Sequence, residues 1–126
     1  MSVYETGANP TAAQRQAAVT QAEGSDLVVV TTQRAWAASG QQQLVEDLLA
    51  TGTPIVVVAV RDPYDIAYFD SAPTYVATYG WKDVSLGSVT EVMFGEVSPT
   101  GLLPVDIPRA DDPSQTLYPF GFGLTY

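Results

Sequence analysis

Arg61-Asp62-Pro63-Tyr64-Asp65, with Trp81 further along, gathers the residue types in this chain that could do chemistry on a polar ligand. Two carboxyl groups held about 5 to 9.5 Å apart are what glycoside hydrolysis requires, one as acid and the other as nucleophile or base. Asp62 and Asp65 have the sequence spacing to invite that reading. A competing reading is structural: an aspartate before proline caps a helix, and an aspartate in the first turn complements the helix dipole. Arg61, Tyr64 and Trp81 suit a different task. An aromatic face can pack on a sugar ring, and a guanidinium holds oxygens in a fixed fork. With Asp62 and Asp65 they form the candidate substrate-binding set. Their alternative role is to cover the edge of a sheet, with Arg61 paired to Asp62, Asp65 or Asp83.

Other candidates carry less. Glu91 and Glu96 flank an apolar helical face, where solvation accounts for them. Gly121-Phe122-Gly123 lacks the strand, third glycine and helix of a dinucleotide fingerprint. Asp111-Asp112 offers too few hard ligands for calcium, so no metal or cofactor is expected. Thr31-Thr32 reads as the end of a β-rich strand.

Composition narrows the field. Fourteen acidic against five basic side chains give a net charge of −9, which repels nucleic acid and anionic lipid. There is no cysteine and no histidine. A thiolate nucleophile, a Ser-His-Asp triad and histidine-ligated metal catalysis are therefore excluded by composition. No run approaches a spanning helix, and residues 1–10 lack the basic and apolar regions of a secretory signal.

The elements that must position these residues alternate. Val3–Thr6 is a strand candidate, followed by Asn9 as cap and Pro10 as first residue of a helix running to about Glu23. Leu27-Val28-Val29-Val30 is apolar without alternation, which predicts a central strand buried on both faces. Ser39 and Gln42 have capping-box spacing for a helix whose buried face is Leu44, Val45, Leu48 and Leu49 and which ends at Gly52. Ile55–Val60 predicts a second interior strand, Asp62-Pro63 a short helix to Tyr68 or Phe69, and Thr74–Tyr79 a further strand. Val84, Leu86, Val89, Val92 and Met93 supply one apolar helical face. From Leu102 onward, proline and glycine predict an extended terminal segment. The whole, residues 1–126, reads as a single α/β domain: a three-layer sandwich with an open, mostly parallel sheet of about five strands and helices on both faces. The carboxyl ends of its strands form one edge, where ligands of such sheets bind, and that edge collects Thr31-Thr32-Gln33-Arg34, Arg61–Asp65 and Tyr79-Gly80-Trp81-Lys82.

The stretch Phe94-Gly95-Glu96-Val97-Ser98-Pro99-Thr100-Gly101, Leu103-Pro104-Val105-Asp106-Ile107-Pro108 and Leu117 through Tyr126 resembles the closing signature of the C-terminal α/β domain of glycoside hydrolase family 3. Val3-Tyr4-Glu5-Thr6-Gly7, Asp26–Val30 and Arg61–Asp65 resemble its bacterial β-N-acetylglucosaminidase branch. The resemblance implies a domain that supports a catalytic barrel, and in that branch the catalytic aspartate and histidine belong to the barrel. No catalytic residue is carried over to this chain, which is expected to be inactive alone. Family domains begin with a further strand and helix, so the chain reads as trimmed before Val3. Phe122 stands where the commonest family pattern has histidine. The partner implied is the barrel, or a second copy through the barrel-facing surface, with a saccharide at the strand-end edge. The parent enzyme is expected to be secreted or attached to the cell envelope. A stand-alone carbohydrate-binding or protein-interaction module is the alternative.

Overall fold

The computed structural model describes all 126 residues. Helix α1 spans Ala12–Glu23, strand β1 Val28–Thr32, helix α2 Ser39–Ala50 and strand β2 Ile55–Ala59. Then come strand β3, Tyr75–Ala77, helix α3, Asp83–Met93, and two short strands, β4 Ile107–Pro108 and β5 Thr116–Tyr118. Short 3-10 segments occupy Ala35–Ala37 and Pro63–Tyr68.

The parallel sheet has three strands in the order β1-β2-β3, while β4 and β5 form a separate antiparallel ladder. The layered α/β architecture matches the expectation, but the strand count is lower than about five. Two causes are visible: Val3–Thr6 forms no strand, and the terminal segment pairs with itself instead of with the sheet. The order also corrects the placing of β1. Strand β2 is central, with all but Val56 buried, whereas β1 is paired on one side only and alternates in burial. Val30 and Thr32 face inward, while Val29 stays 47% exposed. An uninterrupted apolar run therefore did not mean two covered faces.

The core forms where α1 and α2 pack over one sheet face. Ala22, Leu44, Val45 and Leu48 meet Val30, Ile55 and Val57, and Phe69 closes the cluster from beyond the second 3-10 turn. The helical spacing expected for α2 thus produces its buried face. In α3 the expected apolar face is largely open: only Val89 is buried, and Val84 is 77% exposed.

Two side chains expected to cap helices, Asn9 and Gln42, bond between segments instead. Thr11 and Gln14 make the capping box of α1, two residues later than Asn9-Pro10 predicts. Asn9 Oδ1 instead accepts the Gly40 N–H at 2.7 Å, tying the α1 entry to α2. Helix α2 begins at Ser39 as expected but without a side-chain cap. Gln42 donates to the Ala35 carbonyl at 2.6 Å, and Gln41 bridges the Gln33 amide and the Ala8 carbonyl. The Asn9–Gly40 approach demands glycine, because a Cβ at Gly40 would collide with the Pro10 carbonyl and sit 2.7 Å from Asn9 Oδ1. Gly40→Ala should accordingly destabilise by about 1–3 kcal/mol through overpacking, despite alanine's better helix propensity. Urea unfolding with an unchanged slope would read that loss.

The chain end folds back on itself. The Leu103 N–H donates to the Phe122 carbonyl and the Gly121 N–H to the Leu103 carbonyl, both at 2.8 Å. The Phe122 ring packs on Tyr118 with centroids 4.8 Å apart, and the Tyr126 hydroxyl donates to the Val92 carbonyl of α3. An apolar ring at 122 is therefore used for packing.

Candidate functional site

The parallel register sets the strand-end edge. Thr32, Ala59 and Ala77 stand abreast on β1, β2 and β3, so the residues two positions further on, Arg34, Arg61 and Tyr79, leave the sheet side by side. Arg34 and Tyr79 both adopt left-handed backbone, at φ 52° and 58°. They are the only non-glycine residues with positive φ in the chain. Such conformations are uncommon outside glycine and concentrate where a backbone is held for function.

Of the residues singled out from sequence, the structure joins Arg61 and Trp81. The Arg61 guanidinium lies 5.9 Å from the centre of the Trp81 ring, within the range of a cation–π contact. Arg61 forms no ion pair with Asp62, Asp65 or Asp83. Trp81 remains 56% exposed and Tyr64 36%, so the edge does not bury them. Tyr64 lies on the 3-10 turn beside Arg61 and makes no hydrogen bond through its hydroxyl.

The two aspartates part company. Asp62 occupies the cap position before Pro63, in extended backbone, yet its side chain makes no capping bond and its Oδ1 is buried without a partner. Asp65 is wholly buried, which corrects its assignment to the surface of a first helical turn. It lies inward from the 3-10 segment, where Oδ1 accepts the Ala35 N–H at 2.8 Å across from the other strand end. Burial raises its carboxyl above the ordinary 3.8; the Ala35 N–H opposes this, and the Asp62 charge adds to it. Thr32 Oγ1 and Asp65 Oδ2 are both buried without a hydrogen-bond partner. The Tyr75 hydroxyl, donating to the Pro63 carbonyl at 3.3 Å, is pushed up by burial and then by the Asp65 charge. A buried, amide-bound Asp65 cannot face a substrate, so Asp62 and Asp65 are not an acid and nucleophile pair.

Sequence reasoning missed a second Arg–Trp pair. The Arg34 guanidinium lies 4.9 Å from the centre of the Trp36 ring, and Trp36 is 50% exposed. The available signal was Arg-x-Trp directly after the Thr31-Thr32-Gln33 strand end. Two surface depressions lie elsewhere. One of about 200 Å³ sits between Asp70, Arg109 and Leu117, and a wider one between Asn9, Arg15 and Gln43. Asp111 and Asp112 are already engaged: Arg109 holds Asp111 at 2.9 and 3.0 Å, while Ser114 and Gln115 hold Asp112.

The sequence profile of the glycosyl hydrolase family 3 C-terminal domain matches residues 3–126. The chain belongs to that family. A putative β-xylosidase of Formosa agariphila is 30% identical to this chain, over 68% of it and 14% of its own length. The periplasmic β-glucosidase of Salmonella typhimurium is 26% identical, over 68% of the chain and 15% of its own. The chain thus spans about a seventh of these curated relatives. Among solved structures, a fungal multi-domain family 3 β-N-acetylglucosaminidase superposes with TM-score 0.69 at 28% identity, covering 80% of this chain and 12% of that one. A family 3 β-N-acetylglucosaminidase from a Paenibacillus species gives TM-score 0.69 at 24% identity, covering 73% and 18%. The second shares the fold of the family 3 domain; the sequence relatives spread across xylosidase and glucosidase names.

Proposed function

We propose that this chain is the supporting C-terminal domain of a β-glycosidase, that a separate barrel carries the catalytic residues, and that the strand-end edge is its sugar-facing surface. The observation that carries this reading is the fate of the carboxylates: Asp65 is sealed inside and bound to the Ala35 amide. No composition-based alternative replaces it, since histidine and cysteine are absent. The exposed Trp36, Tyr64 and Trp81 faces beside Arg34, Arg61 and Asp62 suit sugar C–H surfaces and hydroxyls.

Surface area supports a large partner. The chain exposes 7709 Å², against about 6,500 Å² expected of a compact monomer of its mass. The difference, on the order of 1,000 Å², is comparable to one side of a standard protein interface at about 800 Å². Val84, Phe94, Leu102, Phe120 and Leu124 are among the exposed apolar side chains.

The purified chain should give no hydrolysis above background on aryl N-acetyl-β-glucosaminide, aryl β-glucoside or aryl β-xyloside. Turnover that disappears in Asp62→Asn would overturn the supporting role. Adding a separately expressed family 3 barrel and measuring sedimentation would check the partner: a complex is expected, and two independent boundaries would count against it.

A further inference from the structure

We propose that the strand-end edge takes a saccharide bearing a carboxylate, held by Arg34, Arg61 and Lys82 against the faces of Trp36 and Trp81. This rests on the reading of that edge as sugar-facing and names the class of sugar it would take.

The inference starts from where unpaired positive charge lies. The chain has five basic side chains and a net charge of −9. Arg15 is paired with Asp47 at 3.0 Å and Arg109 with Asp111 at 2.9 Å. The remaining three, Arg34, Arg61 and Lys82, have no ion-pair partner, and all three follow the carboxyl ends of β1, β2 and β3. Asp62 and Asp83 are sequence neighbours of Arg61 and Lys82 but pair with neither. Asp65, the third carboxyl in this region, is buried and occupied by the Ala35 amide.

Geometry then says what kind of anion fits. Arg34 and Arg61 follow register-matched positions on neighbouring strands, which run about 4.8 Å apart. Each guanidinium lies over a tryptophan ring. Neither guanidinium makes an ion pair within the chain, so each N–H fork is free to match the two oxygens of a carboxylate. The same ring positions a half-exposed apolar face beside the charge. An inorganic anion would use the charges and leave both indoles idle; a neutral sugar would use the indoles and leave the forks idle. A ring carrying a carboxylate uses both. The left-handed backbone at Arg34 and Tyr79 flanks Arg61 on either side, so the charged edge is also the strained one.

Titrating the full chain with methyl β-D-glucuronide, followed by tryptophan fluorescence and by chemical-shift change, tests this. Methyl β-D-glucoside supplies the ring without the charge, and acetate the charge without the ring. Saturable binding of the glucuronide is expected, at least ~10-fold tighter than either control and weakening as salt rises. Arg34→Gln and Arg61→Gln should each lower it several-fold without shifting the thermal midpoint, since both side chains are exposed. Glucoside binding as tight as glucuronide would overturn the carboxylate preference and leave the sugar-facing reading standing. Acetate matching the glucuronide, or no saturation with either sugar, would overturn both.

Discussion

Replacing Phe69 by alanine should destabilise the domain by about 3–5 kcal/mol, the range for deleting a buried aromatic ring from a packed core. Phe69 is the largest wholly buried side chain, 2% exposed, and it joins the cluster formed by α1, α2, β1 and β2. It sits immediately after the 3-10 turn at Pro63–Tyr68, so the ring anchors the loop that carries Arg61, Asp62 and Tyr64. A domain of this size has only about 5–15 kcal/mol to lose. The variant should therefore melt many degrees lower and, before global unfolding, lose protection of amides in residues 61–69. Hydrogen exchange combined with thermal melting would read both. A loss confined to about 1 kcal/mol would mean that the ring is not a core element.

Asp65 should respond to substitution according to which atom is kept. Asp65→Ala strands the Ala35 N–H, costing about 1–3 kcal/mol for an unpaired buried amide, with a further contribution from the space left behind. Asp65→Asn keeps an acceptor for Ala35 and adds an N–H₂ beside the unpartnered Thr32 Oγ1. It should be close to neutral, or stabilising, at pH 7. The pH dependence follows from the direction of the shift. Because the folded-state carboxyl is raised above 3.8, its protonated form is the one the fold favours. That contribution is fully present below the ordinary value and is lost as pH rises through the folded value. Wild-type stability relative to Asp65→Asn should thus improve on acidification from neutral pH toward 4. Urea midpoints of the three proteins across that interval would decide it; parallel curves for wild type and Asp65→Asn would mean Asp65 stays ionised throughout.

The contrast between these two residues shows what can be read without coordinates. Helical spacing in α2 exposes its inner face in the sequence because packing repeats every three to four residues. The length and apolarity of Ile55–Ala59 likewise mark a covered strand. Asp65 was illegible for a physical reason: its inward position is set by a partner distant in sequence, the Ala35 N–H, and not by its place after a proline. A short acidic residue after proline looks the same whether it faces outward or inward. Caps failed similarly. Asn9 and Gln42 have the right chemistry for helix ends, but their better partners, the Gly40 N–H and the Ala35 carbonyl, lie on other segments. Of the candidate site, the Arg61–Trp81 pair was legible through residue type and its place after strands. Strand order also brings Arg34 to the same edge as Arg61, but its pairing with Trp36 was not legible, because it depends on how the chain turns after β1.

Strand β1 has one further implication. Its outer rim offers a row of amides and carbonyls to solvent along Leu27–Thr32, a stretch without charge, proline or bulge, flanked only by Asp26. Natural sheets normally blunt such rims, since an unguarded one accepts any extended chain as its next neighbour. The same stretch that lends Val30 and Thr32 to the interior is therefore also where a second extended chain could add to the sheet.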